Sequence, residues 1–407
     1  MKIKRVVCAE GLGGFFFDDQ AAIKQGAPAD GFTYRGSPVT PGYTAIRMPA
    51  RAVSVMLQLD DGAIAHGDCV WTQYAGISGR DPLLPGREII GIIQEQVAPV
   101  LEGRELAGFK PVCKEVDGLE HEGRRLQSAI RYGVTQALLD AVARAKRKTM
   151  AGVLAEEYGL ELATEPIPLW AQCGDDWYDT VDKMILRRVA VLPEPLVNTR
   201  ERLDRMLDHM RWLSRRIRQL AGEDYRPTFF YLVCGTIGEA CGHDINRMVD
   251  YFGEIEKASA PYPVLIEDPV VMDSKAGQVE AMRELRRALR AAGSSVRLIA
   301  DEWAISLDDK KEFILNGATD VSGAHHPNDL GGINNTIEAI GFCRDHGLEA
   351  VLGGTCCETE RCAQVRAHIA LAARPACIIA APGMGVDESV SIVTNEMRRT
   401  LALLSIK

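Results

Sequence analysis

Glu267 and Asp301 are the residues on which chemistry would turn. Each closes a short apolar run, Pro263–Glu267 and Val296–Asp301. An ionised carboxylate in such a place loses solvation unless something offsets its charge. A hard cation such as Mg2+, held by oxygen ligands, would do so; so would a Lys or Arg partner, or a role as helix cap. His325-His326 form a second cluster. An imidazole there could serve as base, acid or metal ligand, or the pair could pack as an ordinary loop. Gly353-Gly354-Thr355-Cys356 offers a hydroxyl and exposed backbone N–H groups, which can hold a carboxylate; the bland alternative is a Gly-rich turn. Cys356 has no base beside it in sequence, so a nucleophilic role has little support.

These residues need elements that aim them at one place. After Pro166, short apolar runs alternate with long amphipathic ones. The strand candidates are Ile167–Gln172, Val189–Leu192, Thr228–Cys234, Pro263–Glu267, Val296–Asp301, Asp320–Gly323, Ala350–Gly353 and Cys377–Ala381. Helical stretches at Arg200–Leu220, Asp244–Ala258, Gln278–Ala292, Leu307–Asn316, Ile333–His346 and Glu360–Ala373 separate most of them. Eight alternations predict an α/β chain closed as a (β/α)8 TIM-type barrel. A doubly wound sheet usually has fewer strands and carries a Gly-rich phosphate loop after its first strand. That place holds Gln172-Cys173-Gly174-Asp175-Asp176 instead. Polar residues at the strand ends should then face one site: Gln172, Glu194, Glu267, Asp301, His325-His326 and Thr355. The second strand is the least regular, because Pro193 and Pro195 keep its pairing short.

The first part reads as α+β. Ala52–Asp60 and Ala63–Val70 are strand-like around an Asp61-Gly62 turn. Glu88–Leu101, Arg125–Arg147 and Thr149–Tyr158 have apolar residues at helical spacing. A chain of 407 residues fits one barrel with a smaller companion. With 46% apolar and 25% charged residues and a formal charge of −9, it reads as a soluble globular protein. Its dispersed basic residues suggest no nucleic-acid groove. No apolar stretch is long enough to cross a bilayer, and Met1–Gly14 does not read as a signal peptide. The expected location is the cytoplasm. The 11 cysteines include no CxxC pair and are expected to be reduced, mostly buried fillers.

Longer motifs narrow the reading. They include Phe17-Asp18-Asp19-Gln20, His66-Gly67-Asp68-Cys69, Gly79-Arg80-Asp81-Pro82, Gly235-Thr236-Ile237-Gly238, Ala300-Asp301-Glu302-Trp303, Asp329-Leu330-Gly331-Gly332 and Pro382-Gly383-Met384-Gly385. In these, nearly end to end, the chain resembles the methylaspartate ammonia-lyase family of the enolase superfamily. The resemblance implies an α+β capping domain over residues 1–160 and the barrel over 161–407. It implies a homodimer and a small carboxylate substrate. It also implies a Mg2+ ion held by three carboxylates, with proton abstraction next to a substrate carboxylate. Glu267 and Asp301 match two metal ligands. Gln73, Gln172, Thr355 and the backbone of Cys356 match substrate-holding positions.

Four positions depart from the family pattern. The third metal-ligand Asp aligns with Leu232, the lysine base with His326, the glutamine near it with Ala324, and a catalytic histidine with Glu194. Leucine cannot ligate a cation, so Mg2+ binding should weaken. His325 or His326 could supply a replacement ligand, although imidazole suits Zn2+ or Mn2+ better. His326 could instead be the base, and Glu194 could protonate the leaving group if burial raises its pKa. The substitutions favour a divergent lyase, with carbon–nitrogen or related β-elimination on an amino dicarboxylate-like substrate. The alternatives are a non-catalytic binding homologue and an ordinary methylaspartate ammonia-lyase.

Overall fold

The computed structural model describes residues 1–406. Strand β1 (Ile3–Asp18) runs antiparallel to β2 (Arg47–Leu59), from Ile3 opposite Leu59 to Asp18 opposite Arg47. The sequence reading assigns no strand to this opening stretch, because Gly11, Gly13 and Gly14 weaken β propensity. The long partner β2 overrides that weakness, and the register shifts between Leu12 and Phe16. Gly13 serves a close approach: a Cβ there would lie 2.5 Å from the Cys357 carbonyl oxygen.

β3 (Ile64–Val70) completes a three-stranded sheet of order β1-β2-β3. The Asp61-Gly62 turn is as expected, with Leu59 N–H donating to Ala63 O at 2.8 Å. A helical run then passes through Gly86–Ile92, Ile93–Val97 and Ala98–Leu101. It leads to α1 (Phe109–Asp117), α2 (Ser128–Lys146) and α3 (Met150–Tyr158). α2 packs on β3 at a pair of glycines. A Cβ on Gly67 would lie 2.4 Å from the Gln136 side chain, and one on Gly133 would lie 2.4 Å from the Cys69 nitrogen. α3 starts where Thr149 Oγ1 accepts from Gly152 N–H, a standard cap that satisfies an otherwise orphaned donor.

Two short hairpins aside (Ala29–Asp30 with Thr33–Tyr34, and Glu120–His121 with Arg124–Arg125), the remaining strands are β4 (Leu169–Trp170), β5 (Val191–Leu196), β6 (Thr228–Leu232), β7 (Val264–Glu267), β8 (Arg297–Ile299), β9 (Val321–Ala324), β10 (Glu349–Leu352) and β11 (Cys377–Ile379). Strands β4–β11 close into one eight-stranded barrel in sequential order. This is the fold the alternation predicts. The longer helices between them are α4 (Asp179–Leu186), α5 (Arg200–Ala221), α6 (Ile245–Ser259), α7 (Lys275–Ala291), α8 (Leu307–Leu315), α9 (Ile333–Asp345) and α10 (Glu360–Ala373); α11 (Val386–Leu404) follows β11. Helices α4 and α11 are absent from the sequence reading. α11 nevertheless buries Val386, Val390, Val393 and Met397 at helical spacing.

β5 is longer than its prolines suggest. It pairs with β6 through Phe230 opposite Pro193, then resumes at Leu232 opposite Leu196 after a register shift. Glu194 sits in this irregularity at φ +49°. A bulge of this kind re-aims the extra side chain and increases local twist. Two proline nitrogens without N–H groups flank it, so no ladder donor is lost there.

The chain packs as two compact units. One comprises Met1–Ile167, His326–Gly341 and the chain from Leu352; the other comprises Pro168–His325 and Phe342–Val351. Among the described residues no helix is long and apolar enough to cross a membrane. Nine of the 11 cysteines are buried, and none of the described cysteines forms a disulfide.

Candidate active site

The second unit gathers four acidic side chains at the C-terminal ends of its strands. Glu267, the last residue of β7, is 2% exposed. Asp301, two residues past β8, is 5% exposed. Between them in space lies Asp268, at φ +45°. Its carboxylate accepts from Asp301 N–H at 3.0 Å and from Glu302 N–H at 3.1 Å. Asp268 N–H in turn donates to Ile299 O at 3.0 Å. Asp268 therefore staples the end of β7 to the end of β8 and sets the direction of Asp301. Glu267, Asp268 and Asp301 each bring a carboxylate oxygen within 4.8 Å of the others.

Two basic side chains approach these charges from the same unit. Buried Lys310, on α8, places Nζ 3.7 Å from Asp301 Oδ1. His325, immediately after β9, places Nε2 3.1 Å from Glu267 Oε1 and leans against the Trp170 ring. Glu267 Oε2 remains buried with no hydrogen-bond partner among the described residues. Glu194 is also buried, and its Oε1 accepts from Gln172 Nε2 at 3.0 Å. Burial, then the charge of Glu267, pushes the Glu194 carboxyl well above the usual range; the Gln172 hydrogen bond opposes this. Burial and Glu267 raise Asp268 in the same way.

Four buried carboxyl groups with Lys310 and His325 beside them, and with ring nitrogens of His325 and His326 within 4.8 Å of an Asp301 oxygen, are surroundings in which a divalent cation is stabilised. The orphaned Glu267 Oε2 points to the same fit. Both oxygens of Asp268 are engaged by backbone N–H groups, whereas Glu267 Oε2 and Glu194 Oε2 are buried with no hydrogen-bond partner among the described residues. Leu232 stands directly opposite Glu267 in the β6–β7 register and offers no donor. The lysine-pairing alternative is realised in part, through Lys310 and Asp301.

The first unit holds the other expected residues. Gln73 Nε2 donates to Asp18 Oδ2 at 2.9 Å. Arg47 closes on the same carboxylate through Nε at 2.6 Å and Nη2 at 2.7 Å. His326 directs Nδ1 at the Gly354 carbonyl, 2.7 Å away. A carbonyl only accepts, so Nδ1 carries the proton in the neutral ring and Nε2 the lone pair. Thr355 spends its hydroxyl proton on Trp71 O at 3.0 Å and accepts from Cys357 N–H at 3.3 Å. Cys356 is partly exposed. Glu358 and Arg366 form a buried ion pair nearby in the chain. Arg366 Nη1 also donates to Gly353 O at 2.8 Å and Ile379 O at 2.9 Å, tying the chain after β10 to the end of β11. Burial raises the Glu358 carboxyl to about 7, against the pull of Arg366.

The structure thus brings Gln172, Glu194, Glu267 and Asp301 together within one unit, with His325 rather than His326 against Glu267. Sequence reasoning missed Asp268 and Lys310 beside Asp301 and, in the first unit, Asp18 and Arg47 around Gln73 and the Glu358–Arg366 pair. Asp268 had a usable signal, since it directly follows the buried run ending at Glu267.

Comparisons with known proteins agree along the whole chain. The family model for the methylaspartate ammonia-lyase N-terminus matches residues 1–159, and that for its C-terminus matches residues 161–406. Methylaspartate ammonia-lyase of Clostridium tetanomorphum is 46% identical over 410 residues, covering 99% of each chain. The crystal structure of β-methylaspartase from that organism, described as a Mg complex, aligns over 99% of both chains with a TM-score of 0.91. The Citrobacter amalonaticus enzyme, solved with (2S,3S)-3-methylaspartic acid, is 43% identical. It aligns over 99% of this chain and 100% of its own, with a TM-score of 0.95. Muconate cycloisomerase from Pseudomonas fluorescens, at 18% identity, shares the fold over 91% of this chain and 84% of its own, with a TM-score of 0.60.

Proposed function

The chain belongs to the methylaspartate ammonia-lyase family of the enolase superfamily, and on that footing we propose that it eliminates ammonia from 3-methylaspartate or a closely similar amino dicarboxylate. The preference for a divergent or non-catalytic member gives way here. Identity of 41–46% to curated lyases over nearly the whole chain weighs more than four substitutions. The single structural observation that carries the reading is Glu267: a buried carboxylate with one orphaned oxygen, beside Asp301 and Glu194.

The reaction breaks the C3–H bond, whose electron pair becomes the C2=C3 double bond. The C2–N bond breaks as ammonia leaves. The products are an unsaturated dicarboxylate and ammonia. His326 is the base: the hydrogen bond from Nδ1 to Gly354 O fixes the ring and puts its proton on Nδ1, so Nε2 is the nitrogen that takes the substrate proton. The Glu194 carboxyl, which burial pushes well above the usual carboxylate range, can pass a proton to the ammonia once the C2–N bond has broken. Gln172 donates to Glu194, so its amide oxygen is the acceptor end for a substrate ammonium group. The backbone N–H groups of Thr355 and Cys356 donate to a substrate carboxylate, and Gln73, whose Nε2 is committed to Asp18, accepts from the ammonium group through Oε1. Glu267 and Asp301 would hold a divalent cation, Mg2+ or Mn2+. Bound there, the cation would offset the negative charge growing on the substrate carboxylate as the C–H bond weakens.

The test is proton NMR in D2O with 3-methylaspartate and Mg2+ or Mn2+. Formation of the methyl-substituted unsaturated diacid, strongly slowed in Glu267→Gln, supports the reading. Absence of both product and C3 deuterium exchange overturns it.

A further inference from the structure

We propose that His325 is a nitrogen ligand of the cation held by Glu267 and Asp301, which turns a Mg2+-type oxygen site into one that favours transition metals. The inference rests on the metal reading above and adds a ligand to it. Leu232, opposite Glu267 on β6, has a hydrocarbon side chain and offers an ion no donor. His325 enters the same space from β9. It is 5% exposed, its Nε2 is 3.1 Å from Glu267 Oε1, and one ring nitrogen lies within 4.8 Å of an Asp301 carboxylate oxygen.

The spacing fits shared coordination. Nitrogen and oxygen donors about 2.1 Å from one ion, at right angles, lie about 3 Å apart. A simple Glu267–imidazolium pair would give a similar distance. It would also leave Glu267 Oε2 buried and orphaned, with Glu194 and Asp268 adding acid nearby. A cation answers both features, because it engages the carboxylates and the imidazole together. The donor set of two carboxylates and one imidazole suits Mn2+, Fe2+ or Zn2+, whereas Mg2+ selects oxygen and keeps its waters. The tilted Trp170 ring, with its centroid 5.3 Å from that of the imidazole, limits the orientations open to His325.

The experiment reads binding rather than turnover. Full-length protein is stripped with a chelator and titrated with Mn2+ by EPR, with Mg2+ as competitor. Pulsed EPR of the bound Mn2+ then looks for 14N coupling. The expected result is a bound Mn2+ with a 14N coupling that survives His326→Ala. His325→Ala should remove the coupling and weaken Mn2+ at least tenfold, while changing Mg2+ competition less than threefold. Leu232→Asp should raise Mg2+ affinity at least tenfold. The wild-type coupling needs no variant to fold, and His325→Asn keeps a polar side chain if the alanine variant is unstable. Bound Mn2+ without 14N coupling, and unaffected by His325→Ala or His325→Asn, overturns this inference and leaves the metal reading intact. Failure of wild type to bind either ion overturns both.

Discussion

Gln73 and Asp18 are locked together: the Gln73 amide nitrogen donates to Asp18 Oδ2 at 2.9 Å, while Arg47 grips both oxygens of that carboxylate. A carboxylate only accepts, so this contact decides which end of the amide faces outward. Asp18 thus fixes Gln73 with Oε1 as its outward acceptor. Asp18→Ala should raise KM for the amino dicarboxylate about tenfold, the size of one lost oriented hydrogen bond. It should lower kcat less. Steady-state kinetics separates the two, and an equal fall in kcat with unchanged KM would contradict the positioning role.

Glu267→Gln keeps the shape of the side chain and removes its charge. Loss of a group that stabilises transition-state charge costs about 10²–10³ in kcat. The variant should show that loss together with weakened Mn2+ binding, measured by metal titration. Retained metal affinity would mean that Asp301 and its neighbours hold the ion without Glu267.

Arg366 is fully buried and satisfies Glu358 as well as two strand-end carbonyls. Arg366→Met leaves the Glu358 carboxyl and both carbonyls without that partner. Breaking a buried pair from one side costs about 3–5 kcal/mol. The urea unfolding midpoint should fall accordingly, and a shift within error would show that the pair adds nothing net.

His209 supplies a pH-dependent term. Its Nε2 lies 2.7 Å from Trp177 O and its Nδ1 2.8 Å from Tyr231 OH. Burial pushes its pKa down to about 4 from 6.5. Between those values the unfolded chain binds the proton that the folded chain refuses. This contribution is therefore complete above about pH 6.5 and is lost as pH falls toward 4. It amounts to about 3 kcal/mol. Urea melts at pH 7, 5.5 and 4 should show a steeper loss in wild type than in His209→Gln. Parallel curves would contradict the assignment.

The barrel was legible because each of its strands is a short apolar run set apart by an amphipathic one. β1 was not, since its glycines hide a strand that exists through pairing with β2. α11 carried a readable Val386, Val390, Val393 spacing that the Gly-Met-Gly before it obscured. Within the site, Glu267 and Asp301 stood out as charges ending apolar runs. Lys310 and Arg366 could not, because each lies on a helix and meets its partner only through the tertiary fold. The choice between His325 and His326 at Glu267 depends on the backbone direction at the end of β9. A one-residue step there sends one ring to Glu267 and the other to Gly354 O.

The most direct test of the account is the reaction itself. Metal-loaded protein is mixed with (2S,3S)-3-methylaspartate and followed by proton NMR, with ammonia measured in parallel. The methyl-substituted unsaturated diacid and ammonia are expected in equal amounts, with both formed about 10²–10³ more slowly in Glu267→Gln. Ligand-induced thermal stabilisation with no diacid, no ammonia and no C3 exchange, under Mg2+ and Mn2+ alike, would contradict it.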